Sequence, residues 1–241
     1  MKNNWPTYID LDEEYRREYR DDHCSTEWSD DMEPLPPSHD VVWLTPNYTI
    51  TIATMSELCS WFRQYTGSWA SLKDIQRSFE KRIKRGIHDD WIKIWYEAVA
   101  MYGPASKTAR VIQVHNKAPL VGRKEIAKAM IGLSSSIQAS WIALGSGGTA
   151  PADADVKLQT EFTRSALSAG DVLYDNHIAY FNKFFWSSQV GSRTILEAGI
   201  FIGGTITADS GILLSRVNIN ETTSANETIT INASITLTSA T

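Results

Sequence analysis

Ile229-Thr230-Ile231-Asn232-Ala233-Ser234-Ile235-Thr236-Leu237 alternates apolar and polar residues without a break. Strict period two of this kind predicts a β-strand with one face buried and one face wet. Working back along the chain, segments 227–238, 211–219, 193–202, 172–186, 157–167 and 139–144 carry the same β-branched and aromatic character and are separated by Gly, Asp, Asn and Ser turns. Several short strands punctuated in this way argue for an antiparallel sandwich.

Upstream, the pattern changes. Residues 109–115 read as one more strand and about 122–132 as one short helix, with Ile126, Ala129 and Met130 on one face and Gly132 as its stop. Together, 107–241 form a β-sandwich domain. Residues 47–106 form a mainly helical region that opens with the alternation Tyr48-Thr49-Ile50-Thr51-Ile52. Ser71 and Asp74 resemble a capping box, and Leu72, Ile75, Phe79 and Ile83 follow at spacings of three and four, which predicts a helix ending near Gly86. Asp89 or Asp90 caps the next, which buries Trp91, Ile94, Trp95 and Ala98 and stops before Gly103-Pro104. An aromatic stripe at helical spacing is core before it is a ligand box. Residues 1–46 read as an extended acidic arm containing prolines, in which Trp5, Tyr8, Trp28 and Trp43 are candidate anchors for docking onto another surface. The expected class is α+β, mainly β: an antiparallel sandwich with a small helical region and an N-terminal arm.

The 241 residues, 42% of them hydrophobic, are enough for a proper core. No apolar run is long enough to cross a bilayer, and Met1-Lys2-Asn3-Asn4-Trp5-Pro6 lacks the apolar stretch of a signal peptide. A soluble chain, without a membrane partner, is the expectation. Cys24 and Cys59 form no disulfide framework, and neither they nor the five histidines have metal-ligand spacing. Charge is unevenly spread. In residues 1–40 four basic residues face twelve acidic ones, a net of −8, whereas residues 63–128 carry fourteen against six, a net of +8. Opposite fields of this kind steer association within or between subunits. The basic stretch interleaves its cations with core aromatics and carries no nucleic-acid motif, so nucleic acid is disfavoured as a partner.

Trp141-Ile142-Ala143-Leu144-Gly145-Ser146-Gly147-Gly148-Thr149-Ala150-Pro151 invites a phosphate-loop reading. No Lys followed by Ser or Thr comes after the glycines, and Ala152-Asp153-Ala154-Asp155 has the wrong sign for a phosphate. Gly145, Gly147, Gly148 and Pro151 are instead read as a structural turn, the glycines supplying unusual backbone angles and Pro151 stopping the ladder. No cofactor motif remains. Glu161, Arg164 and Glu197 tempt an acid–base reading, but carboxylates on strands beside arginines commonly pair, so Arg164 and Glu197 are assigned to an internal salt bridge, or else to a hydrogen bond to a turn. No nucleophile elbow is present. No catalytic residue is assigned.

Across about residues 116–241 an ordered set of pieces resembles a β-rich module of tailed-phage virion proteins, among them tail fibre, neck and minor structural proteins. The pieces are Val121-Gly122-Arg123 before a short helix, Trp141 to Gly145 with its Gly-Thr-Ala-Pro turn, Asp155 and Leu158 leading to Glu161 and Arg164, Leu196 to Phe201, and the strands 213–217 and 229–237. The resemblance implies assembly rather than catalysis: a homo-oligomer contacting portal, tail or capsid proteins, located in the virion after synthesis in the host cytoplasm. It leaves open a capsid-surface decoration role, or a receptor- or carbohydrate-binding module in which Trp141 or Trp186 stacks on a host-surface glycan.

Overall fold

Two antiparallel sheets carry the chain. The computed structural model describes residues 42–85, 90–134 and 136–239. In the first sheet the order is β2 (Arg110–His115), β1 (Val42–Thr54), β9 (Glu227–Ser239), β6 (Ile178–Phe185) and β5 (Val172–Asp175). In the second it is β4 (Glu161–Ala166), β3 (Ala139–Gly145), β7 (Thr194–Ile202) and β8 (Ile212–Thr222). Their inner faces meet in one core, where Ile50, Ile52, Ile229 and Ile231 pack with Ile142, Leu144, Ala198 and Ile200. The fold is α+β and mainly β.

The alternation in 229–237 sends Ile229, Ile231, Ala233 and Ile235 inward, and all four are buried. The opposite face differs from the expectation of a wet surface. Thr228 and Thr230 are buried too, because α1 (Met55–Thr66), α2 (Leu72–Lys84) and α3 (Asp90–Tyr102) lie in the same part of the molecule and share a second core with Ala53 of β1 and Phe184 of β6. The Thr228 hydroxyl donates to Ala53 O at 2.8 Å, which is how a polar side chain is accommodated under that layer.

Local signals explain the helices. Thr54 and Glu57 form a reciprocal capping box at the start of α1, and Gly67 closes it in the left-handed region at φ 64°. Ser71 caps α2 by accepting from Asp74 N–H. The aromatic stripe is core: Phe79 stacks on Trp95 at 3.9 Å between centroids and meets Phe184 edge-on at 5.0 Å. α4 (Leu120–Met130) and the short α5 (Ser187–Val190) complete the helices of the described residues. None of them is long and apolar enough to cross a membrane.

Some boundaries move. β1 begins at Val42, so it runs through the 46/47 division and places the backbone of Trp43 opposite Thr238 in a sheet. The stretch 172–186 is not one strand but the hairpin β5–β6, since Asn176 turns the chain at φ 51° immediately after Asp175. Residues 157–160 precede β4 rather than belonging to it. Residues 40–241 make one compact unit containing both sheets and all the described helices.

Phe79→Ala should lower the unfolding free energy by about 3–5 kcal/mol, because it opens a cavity between Trp95 and Phe184. Urea unfolding followed by far-UV circular dichroism measures this. A loss under about 1 kcal/mol would show that the aromatic cluster does not support the fold.

Candidate functional site

The feature with the greatest density of buried charge sits on the outer face of the second sheet. Glu197 on β7 and Arg216 on β8 are completely buried. They stand outward because their neighbours Ala198, Ile200 and Val217 occupy the inward positions of period two. The long segment between β3 and β4 is tied to them, so no part of the Glu197 carboxylate is solvated. Its Oε1 accepts the N–H groups of Gly147 (3.0 Å) and Thr160 (2.9 Å). Its Oε2 accepts Gln159 N–H (3.1 Å) and Arg216 Nε (2.8 Å).

Arg216 uses the rest of its donors on the same segment. Nη1 donates to Asp155 Oδ2 at 2.7 Å and Nη2 to Thr149 O at 3.0 Å. Asp155 also accepts Ala152 N–H, which folds the loop back on itself. At the loop's outer edge Asp153 meets Arg123 at 2.9 Å and Lys117 at 3.5 Å. Asn218 Nδ2 reaches Gly148 O. The guanidinium fork and the carboxylate together satisfy a stretch of backbone that has no ladder partner.

The glycine turn is placed here, but for a different reason from the expected one. Gly145, Gly147 and Gly148 are not among the glycines with positive φ. Gly147 is needed for close approach: a Cβ there would lie 2.2 Å from Gln159 Cβ and 2.5 Å from Glu197 Oε1. At Gly145 it would lie 2.6 Å from the same oxygen, and at Gly148 it would press on Leu196 at 3.3 Å. The ladder ends at Gly145, where the β3–β4 register shifts, so the strand stops before the partly buried Pro151 is reached.

Arg164 and Glu197 are both in internal ion pairs, but with different partners. Arg164 forms a bidentate pair with Glu161, Nε to Oε1 at 2.5 Å and Nη2 to Oε2 at 2.7 Å, with both side chains almost wholly buried. Its Nη1 donates to Thr205 O and Ser210 O, holding the loop between β7 and β8. Phe201 lies under the guanidinium at 4.8 Å and Trp141 at 5.7 Å. Glu161 and Glu197 therefore spend their oxygens on internal donors. Trp141 packs in this cluster and Trp186 packs against Phe79 and Phe184. Trp5, Tyr8 and Trp28 lie outside the described residues.

Sequence reasoning missed two groups. Arg216 had a visible signal, a cation inside the apolar run Leu213-Leu214-Ser215-Arg216-Val217, which only a buried counter-charge makes tolerable. The other is Asp171, which accepts Lys183 Nζ (2.8 Å), Tyr96 O–H (2.8 Å) and both donors of Ser168. This links α3 to the end of the first sheet. Burial, and next the Asp171 charge, push the Tyr96 phenol well above its ordinary range. Burial likewise raises Tyr48, whose hydroxyl meets Ser215 Oγ at 2.9 Å. Among the described residues no three His, Cys, Asp or Glu side chains group as metal ligands. Compared with protein-family models, curated proteins and solved structures, the chain has no match.

Arg216→Met should cost about 3–5 kcal/mol, because it leaves the Glu197 carboxylate buried without its cation. Adding Glu197→Gln should recover part of that loss, since the amide carries no charge to desolvate. A double-mutant cycle in urea measures the coupling. Losses that add within about 0.5 kcal/mol would contradict the pairing.

Arg110 on β2 clamps Glu227 at the start of β9 through Nη1 (2.9 Å) and Nη2 (3.1 Å). Burial opposes ionisation of Glu227, but Arg110 and the Ser224 N–H outweigh it and hold the carboxyl below its ordinary range. A depressed folded value gives stability that is present above the unfolded carboxyl value near about 4.3 and lost as pH falls through the folded one. Glu227→Gln should thus cost about 1 kcal/mol at neutral pH, discounted for the exposure of Arg110. The Tm gap to wild type should narrow as pH falls below the ordinary carboxyl range and close once Glu227 is protonated in both states; a gap unchanged over that range would refute the assignment.

Proposed function

We propose that the chain is a non-enzymatic structural component of a tailed-phage virion, assembling through its sandwich and N-terminal arm at the neck, tail or baseplate. One observation carries the reading. The separated pieces that resemble the virion module fold into a single interlocked region: Gly122 packs on the Leu213–Leu214 backbone, Gly145 and Gly147 on Glu197, Asp155 on Arg216, and Arg164 on Glu161. A set of residues that co-operates to fix a loop on a sheet is what a building block needs to keep from one particle protein to another. Their chemistry is directed inward, each charge taken by another part of the chain.

The opposite charges of residues 1–40 and 63–128 support the second half of the reading, an acidic arm that reaches a neighbour. Cross-linking mass spectrometry of intact particles tests it. Neighbours among portal or tail proteins are the expected result, and a major capsid neighbour would make the chain a decoration protein. Absence of the chain from purified particles would overturn the proposal.

A further inference from the structure

The two sheets do not end together. At one end the inner face of the first sheet runs past the cover of the second, and Leu44, Ala179, Ile235 and Leu237 line an open cleft of about 320 Å³ with Leu214 of β8 and Ile126 of α4. These positions belong to the core side of their strands: Leu44 faces Leu237, and Ala179 faces Ile235. The cleft is thus an unfinished part of the core rather than a polar site. Its rim is largely apolar as well, with Leu237 48% exposed, Ile137 44% and Tyr174 86%, and Asn176 and His177 supply its polar part. An apolar surface of this kind, contiguous with a hole, marks an interaction site.

Three facts bear on what fills it. The described chain starts at Val42, two residues before Leu44, which lines the cleft. That segment of 41 residues carries Trp5, Tyr8, Tyr15, Tyr19 and Trp28, side chains that combine a large apolar body with a polar tip. Residues 1–40 are also strongly acidic, while α4, which supplies the Ile126 wall, bears Arg123, Lys124 and Lys128, of which Arg123 meets Asp153 and Lys128 meets Glu125. The nearest of these aromatics, Trp28, is fourteen residues before Val42. That length spans up to roughly 48 Å, enough to reach an adjacent subunit.

We infer that the cleft at the open end of the sandwich receives an aromatic side chain from the N-terminal segment of a second copy of this chain. The inference rests on the arm-mediated assembly proposed above and names its partner and its seat. Each subunit then offers both a cleft and an arm, an arrangement that is self-complementary about a two-fold axis or repeats around a ring.

The test uses the full chain, with benzoylphenylalanine in place of the exposed Tyr174 or, separately, of the rim residue Ile137, in equal mixtures of light- and heavy-nitrogen protein. Irradiation should give cross-links from either position to residues 1–41 that pair one light with one heavy peptide. Ala179→Phe, which fills the cleft from within, should raise the dissociation constant of the assembly at least about tenfold by mass photometry, with the circular dichroism spectrum retained. Cross-links of one isotope only would overturn the inference, as would links confined to residues 42–241, no links from either position, or an Ala179→Phe protein that assembles like wild type. In intact particles carrying the same substitution, links from position 174 to a different particle protein would sink this inference while leaving the assembly reading intact.

Discussion

The Glu197 carboxylate is the point on which the outer side of the sandwich depends. A loop crossing a sheet face brings backbone N–H groups into a dry layer where no strand is available to accept them. Three such groups, from Gly147, Gln159 and Thr160, converge on Glu197, and an ionised carboxylate is the one side chain with enough lone-pair sites for all of them and for an arginine besides. An apolar residue at 197 would leave three buried donors unsatisfied. Arg216 is then required by charge balance, and its remaining donors extend the same hold to Thr149 and Asp155. Because desolvation offsets much of the attraction in a buried pair, its contribution lies less in net stability than in fixing one placement of the loop.

The device recurs. Arg164 and Glu161 hold the β7–β8 loop through the carbonyls of Thr205 and Ser210. Asp171, with Lys183 and Tyr96, joins α3 to the first sheet. In each case a buried ion pair takes up backbone or helix groups that regular structure leaves without partners. The long loop from Gly145 to Glu161 is anchored in this way at Gly147, Thr149, Asp155, Gln159 and Thr160 despite having no regular secondary structure.

The inward half of this design was legible in the sequence and the outward half was not. Period two identifies which residues of 229–237 enter the core, because apolar burial acts at every second position irrespective of what lies elsewhere. It does not say what covers the other face. Thr228 and Thr230 look like solvent-facing residues, and so do Glu197 and Arg216, until a helical layer and a loop close over them. The glycines of the 145–148 turn were recognisable as structural, but the close approach that requires Gly145 and Gly147 comes from Gln159 and, fifty residues away, the Glu197 side chain rather than from their own φ angles. Arg164 was legible as a partner of a carboxylate; its choice of Glu161 over Glu197 follows from two loops whose paths no local pattern encodes.

The two ways in which the sandwich is bounded have different physical logic. Where the outer face of the second sheet is closed, the covering chain supplies polar groups and the sheet supplies charges to meet them, so closure is directional and intramolecular. At the other end, Leu44, Ile235 and Leu237 present no donor or acceptor side chain for a loop to engage. Counter-charge cannot seal such a surface; only the removal of apolar area from water lowers its free energy, at roughly 25 cal/mol per Å². A cover at that end would have to be largely apolar. The side closed by ionic clamps and the side left with an apolar cleft are thus governed by different forces, and none of the clamp residues lines the cleft.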